Sequence, residues 1–355
     1  MTAKPLRTLL FLAVTSVGLI FAVGALTFLG TARAPTALLL PNPNGYADLL
    51  NAARIVTRRI DNPADLDRAE LRALLATNVE SLRLVRLGLS HDCAVPTDSV
   101  ITNFGATTGD LIGLKCLARL LSAEGRLAEI EDRSDDAARS YVDAIRLGTA
   151  MSRGGLVMNR LVGIACEGVG SMPLAKLVPK LTFEQARSLV TELQQIDQAT
   201  VTWEEVCRNE NRFASAQMGH YGNPIRLGIA WWQTRAIRKR SQERHNIAAA
   251  YLRLTTTELA LRCYQHERGT IPARLELLVP KYLRQVPSDP FSGHALVYRP
   301  RGTNWLLYSV GPDRVDDNGK PAGRMISGHY LVGLGENQRG RDQKTRGDLL
   351  YDSSW

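Results

Sequence analysis

"LLYSVGPDRVDDNGK", residues 306–320, changes character midway. From Trp305 onward apolar and polar residues alternate with the two-residue period of a half-buried strand, and Gly311-Pro312 then ends the pattern. Asp313, Asp316 and Asp317 follow, closed by Asn318-Gly319, a pair suited to positive φ and hence to a turn. The chain carries a net charge of +9, so this local excess of carboxylates needs a cause. Immediately upstream, "HALVYRP" (294–300) alternates in the same way, and "RGTN" (301–304) separates the two runs. The pair therefore reads as an antiparallel hairpin with one face on a helix. That helix lies in "LRLTTTELALRCYQHERGTIP" (252–272) and carries Leu252, Leu259, Cys263 and Tyr264. Gly269 stops it and Pro272 bars continuation. Turns and prolines replace helical periodicity here, which predicts an α+β module over residues 246–355.

The preceding stretch, residues 35–245, reads as an all-α domain. Asn62-Pro63 offers a capping amide followed by proline, and Ser134 precedes Asp135 and Asp136, which suit the positive end of a helix dipole. Thr182 with Gln185, and Thr202 with Glu205, have the three-residue spacing of capping boxes. Strand patterns are absent. Within residues 114–148, Leu121, Gly125, Ala128, Ala137, Tyr141 and Ala144 are spaced so that small residues let two helices approach while an aromatic fills the gap. This hairpin resembles one unit of a tetratricopeptide repeat. A solenoid needs about three such units, and no second copy follows, so the alternative is an αα-hairpin within an irregular helical domain.

The amino end predicts a membrane anchor. Thr8–Gly30, "TLLFLAVTSVGLIFAVGALTFLG", is an uncharged run matching the roughly 20 residues that span a bilayer as a helix. Lys4 and Arg7 precede it, so the positive-inside bias keeps residues 1–34 as a cytoplasmic tip plus anchor and exports the remainder. A cleaved signal peptide ending at "TARA" is the alternative. The expected setting is a single-pass inner membrane protein whose bulk is periplasmic. Its five cysteines (Cys93, Cys116, Cys166, Cys207 and Cys263) include no C-x-x-C pair, which excludes a zinc ribbon or thioredoxin-type site. The basic balance comes without a nucleic-acid motif and suits acidic lipids instead. In "PIRLGIAWWQTRAIRKRSQERH" (224–245), Trp231 and Trp232 stand beside Arg235, Arg238, Lys239, Arg240 and Arg244. Either the helix lies at a bilayer surface or its tryptophans are core residues.

"YQHERGTIP", "LVPKYLRQVPSDPFSG", "LVYR" and "LYSVGPDRVDDNG", in this order, resemble the globular domain of the major pseudopilin of type II secretion systems. The resemblance covers about residues 250–355. It implies a calcium loop in which Asp313, Asp316, Asp317 and Asn318 supply side-chain oxygens, Val310 a carbonyl, and Asp348 in "GDLLYD" the closing carboxylate. A hard dication takes six to eight such oxygens and turns mutual repulsion into attraction, so calcium is expected as a structural staple. A solvated acidic turn is the alternative. Two departures bear on role: residues 1–12 hold no "GFTLIE"-like stretch, and the helical domain stands between anchor and module. The fold and the metal loop carry over, but the fibre-subunit role does not.

No G-x-S-x-G, phosphate loop or H-E-x-x-H motif is present. Cys263 and His266 share a helical face without a third, orienting group, which leaves a thiol-dependent hydrolase as a poor alternative. The expectation is a non-enzymatic, membrane-anchored envelope protein of structural or interaction type. It would meet lipid through residues 8–30 and protein partners in the envelope, with neither nucleic acid nor a small-molecule substrate. A divergent type II secretion or pilus assembly component is the alternative.

Overall fold

A computed structural model describes residues 39–57, 62–97, 104–218, 224–320 and 348–351. The side chains of 104–107, 215–218 and 224–234 are not described. The apolar segment Thr8–Gly30 lies outside these residues, as do the side chains of Trp231 and Trp232. Leu40–Trp355 forms one compact unit.

The unit is mostly helical. The α-helices are α1 (Gly45–Arg54), α2 (Arg68–Thr77), α3 (Val79–Leu89), α4 (Phe104–Ile130), α5 (Ser134–Ala150), α6 (Val157–Leu177), α7 (Phe183–Ala199), α8 (Trp203–Met218) and α9 (Pro224–Arg268). A small antiparallel sheet follows in the order β1 (Val297–Arg301), β2 (Asn304–Ser309) and β3 (Leu349–Leu350). This is the expected α+β composition. Among the described residues between Tyr46 and Gln265 there is no strand.

Local signals explain many boundaries. Thr182 and Gln185 form a reciprocal capping box at α7, with Thr182 N donating to Gln185 Oε1 at 2.9 Å and Gln185 N to Thr182 Oγ1 at 3.4 Å. Ahead of α8, Thr202 Oγ1 accepts from Glu205 N at 3.2 Å. At Asn62-Pro63 the outcome differs. Asn62 caps only a 3-10 turn over Pro63–Asp65, and α2 begins later, behind an Asp67/Glu70 capping box. Both turns start from the same side-chain-to-amide hydrogen bond, so the cap alone does not determine how far the helix propagates.

On α7 the buried residues Ala186, Leu189, Val190, Leu193 and Ile196 recur at the three- and four-residue steps of one helical face. α4 and α5 form the expected hairpin. Tyr141 is buried and lies against Gly125, where an added Cβ would come within 2.7 Å of its ring. The next crossing is also glycine-mediated. On α6, Gly163 sits on the Gly148 carbonyl of α5 and on Ser152 Oγ, while a Cβ at Gly148 would come within 2.7 Å of Glu167 Cγ. With its trailing turn, α6 is long and apolar enough to cross a membrane, and 33% of that window is buried in the unit.

One core groups Leu49, Leu71, Val85, Leu114, Leu117 and Leu147. A second runs from Tyr141 and Leu174 through Leu193 and Leu259 to Leu278 and Leu307. It therefore joins the helical part to the hairpin. Fully burying one such leucine contributes about 1.5–3 kcal/mol. The boundary expected near residue 246 falls inside α9, an unbroken helix of 45 residues.

Candidate functional site

α9 ends where the sequence says it should. Gly269 takes φ +69°, and its amide donates to Gln265 O at 2.8 Å. The hairpin pairs Val297 with Tyr308 and Arg301 with Asn304, and Gly302 at φ +61° turns the chain. Two polar ties hold it in place: Trp305 Nε1 donates to Glu258 Oε2 at 2.7 Å, and Tyr298 Oη donates to Pro272 O at 2.7 Å. Burial holds the Glu258 carboxyl above the usual range, against the pull of Arg262.

The acidic loop leaves β2 at Val310. Asp313 Oδ1 accepts from Val315 N at 3.3 Å. Asp316 Oδ1 accepts from Tyr308 Oη at 2.7 Å and from Asn318 N at 2.8 Å. Arg299, on β1, donates through one terminal nitrogen to Asp316 Oδ2 and through the other to Asn318 Oδ1, each at 2.8 Å. Asn318 and Gly319 have φ of 61° and 80°, the positive values such a pair favours. Asp348 closes the loop and is 1% exposed. Its Oδ1 accepts from Asp317 N at 3.3 Å and its Oδ2 from Gly319 N at 2.7 Å. The Tyr308 hydroxyl, more than any other contact, keeps Asp316 below the usual carboxylate range. Burial raises Asp348, and the charges of Asp316 and Asp317 raise it further.

Asp316, Asp317, Asn318 and Asp348 lie together, and their hydrogen bonds run to protein donors. Both Asp316 oxygens, both Asp348 oxygens and Asn318 Oδ1 accept from protein donors. A calcium ion would have to displace the Arg299 fork to reach Asp316 and Asn318. As they stand, the Asp316, Asn318 and Asp348 oxygens are turned to protein donors, two of them to the Arg299 guanidinium.

Sequence reasoning missed the residue that fastens this region. Asp289, in the turn "PSDPFSG", is fully buried. Its Oδ1 accepts from Phe291 N and Ser309 Oγ, and its Oδ2 from Val310 N, all at 2.9 Å. It therefore ties the turn before β1 to the end of β2. The only signal in the sequence was an Asp-Pro step, which by itself says turn and nothing about burial.

A second buried polar cluster links α6 to α9. Arg160, 1% exposed, forks onto Glu167 and donates from Nε to His245 Nδ1 at 3.0 Å. Burial, then Arg160 and Arg253, pull the His245 imidazole down to about 3, so it is a neutral acceptor near pH 7. A cleft of about 650 Å³ between α3, α4, α5 and α7 is lined by charges that include Arg86, Arg133, Asp143 and Arg146. Its ions are matched in place: Arg86 pairs with Glu124 and Asp143, and Arg146 with Glu192.

Cys263 is buried, its thiol raised to about 11 by burial, and its sulfur lies 4.0 Å from Phe183 O. His266 stacks on the Phe183 ring at 5.1 Å. Both residues thus face α7. All five cysteines are free thiols. Compared with protein-family models, curated proteins and solved structures, the chain matches none.

Proposed function

We propose that the chain is a non-catalytic structural or interaction protein of the cell envelope. In this reading the helical body acts as a platform holding a pseudopilin-like hairpin in a fixed orientation, and the chain is not a fibre subunit. The observation that carries it is the joining of the two parts. Arg253 of α9 donates to Asp197 of α7 at 3.0 Å and to Ser288 O at 2.8 Å. Arg284 N donates to Gln194 Oε1 at 2.9 Å, and Tyr351 Oη to Ala175 O at 3.1 Å. Together with the shared core, these bonds tie the hairpin to the helices. A subunit that stacks through a slender amino-terminal helix would have to carry that whole body into the fibre.

Two measurements on the full chain test this. Fractionation and protease protection are expected to place it in the membrane fraction with residues 40–355 on the extracytoplasmic side; recovery from the cytosol would overturn the setting. Assembly with purified major pseudopilins is expected to leave the chain outside the filaments. Its incorporation along filaments would support the assembly-component alternative instead.

A further inference from the structure

We infer that Arg299 is the built-in counter-cation of the acidic loop, holding the groups that a divalent ion would otherwise take, and that removing its guanidinium opens the loop to calcium. The inference concerns the carboxyl-terminal hairpin alone and does not rest on the envelope role proposed above.

Register comes first. β1 places Arg299 opposite Leu306, two residues along from the pair Val297–Tyr308 and hence on the same face of the ribbon. The guanidinium carbon lies 5.6 Å from the centroid of the Tyr308 ring, within the range of a cation–π contact. From there its two terminal nitrogens reach Asp316 Oδ2 and Asn318 Oδ1 at 2.8 Å each. A planar fork meets two separate oxygens in this way, whereas an ammonium group would approach as a point charge. Tyr308 Oη then fixes the second Asp316 oxygen at 2.7 Å. One residue on each strand thus grips the same carboxylate.

Charge comes next. Asp316 and Asp317 both act on Asp348, which is buried, accepts only from backbone amides, and has no ion pair among the described residues. Asp313, Asp316, Asp317 and Asp348 stand against Arg299, Arg314 and Lys320, and Arg299 is the cation paired with Asp316, so the stretch keeps a small anionic surplus. An Asp316 oxygen cannot bond the guanidinium and coordinate a metal along the same direction, so the two cations compete for it. Wild type resolves the competition in favour of the tethered one, whose effective concentration is set by the hairpin itself.

Calorimetric calcium titration of the full chain tests this, with magnesium as control, comparing wild type with Arg299→Ala. The variant is expected to bind calcium with a Kd of about 10⁻⁴–10⁻³ M, the range of extracellular modules. Wild type is expected to bind at least about tenfold more weakly and to melt at the same temperature in calcium and in chelator. Adding Asp316→Asn to the variant should abolish the gained binding. If alanine at 299 prevents folding, Arg299→Gln keeps the stem, drops the charge and is expected to gain binding as well. Submillimolar calcium binding by wild type overturns the inference without any variant. Equal binding by wild type and variant overturns it, and so does the absence of binding in both.

Discussion

Replacing Gly163 by alanine is expected to destabilise the unit, although the same change on the open side of the same helix should stabilise it. In a helix interior, glycine to alanine is favourable by about 1 kcal/mol. At Gly163 the new methyl would land on the Gly148 carbonyl and on Ser152 Oγ, and that hydroxyl already donates to Gly148 O at 2.7 Å. A backbone carbonyl in a packed helix cannot turn aside, so α5 and α6 must separate, an overpacking cost of about 1–3 kcal/mol. The net effect is a loss of up to about 2 kcal/mol. At Gly168, five residues along α6, a Cβ would meet nothing within 4 Å, which leaves the propensity gain of up to about 1 kcal/mol. The two variants should therefore differ by about 1–3 kcal/mol. Because each makes the same change in the unfolded chain, the comparison isolates the helix crossing. Urea unfolding followed by far-ultraviolet circular dichroism measures it. A Gly163→Ala protein as stable as Gly168→Ala would refute the close approach of α5 and α6.

The buried carboxylate of the "PSDPFSG" turn gives a second expectation. Asp289→Asn keeps the shape but can turn an amide donor toward a backbone donor, so unfolding at neutral pH should report a loss of about 2–4 kcal/mol; less than about 1 kcal/mol would contradict the three hydrogen bonds. A third concerns acid. His245 has a folded pKa of about 3 against roughly 6.5 unfolded, so the unfolded chain binds the extra proton between those values, and the stabilisation present above pH 6.5 is lost as the pH falls. At pH 5.5 the loss is about 1.4 kcal/mol, nearly independent of the folded value while that value stays well below 5. His245→Gln should flatten the unfolding profile between pH 7 and 5.5 relative to wild type, and parallel profiles would count against a buried neutral imidazole. The fourth, unmasking of calcium affinity by Arg299→Ala, is read by the titration described above.

Much of the carboxyl-terminal hairpin was legible because its signals are local. Gly269 with Pro272 ends a helix, "RGTN" turns a strand pair, and alternation marks both strands. The Thr182/Gln185 box and the Tyr141-on-Gly125 contact were readable for the same reason, since spacing within one helix or one hairpin determines them. What the sequence hid was partnership across distance. Arg299 and Asp316 meet only once β1 and β2 are in register, and Arg160 and His245 are 85 positions apart. The pattern of loop carboxylates therefore carries no sign of the guanidinium that faces them. The texture changes only after Pro272, so the boundary expected near residue 246 has no local signal of its own. Nothing at that position stops a helix, because "HNIAAAYLRL" (245–254) continues α9 without glycine or proline. β3 is only Leu349–Leu350, too short to show a period at all.

The unbroken α9 has a mechanical consequence. Its 45 residues, at 1.5 Å per residue, make a rod of roughly 68 Å, with the hairpin strapped to its distal end by Glu258 and Trp305. Its second half is clamped on α6 and α7 through Leu254, Leu259 and Leu261 and through Arg253 on Asp197. The rod is therefore a splint, and a force applied to the sheet is passed to the whole helical body.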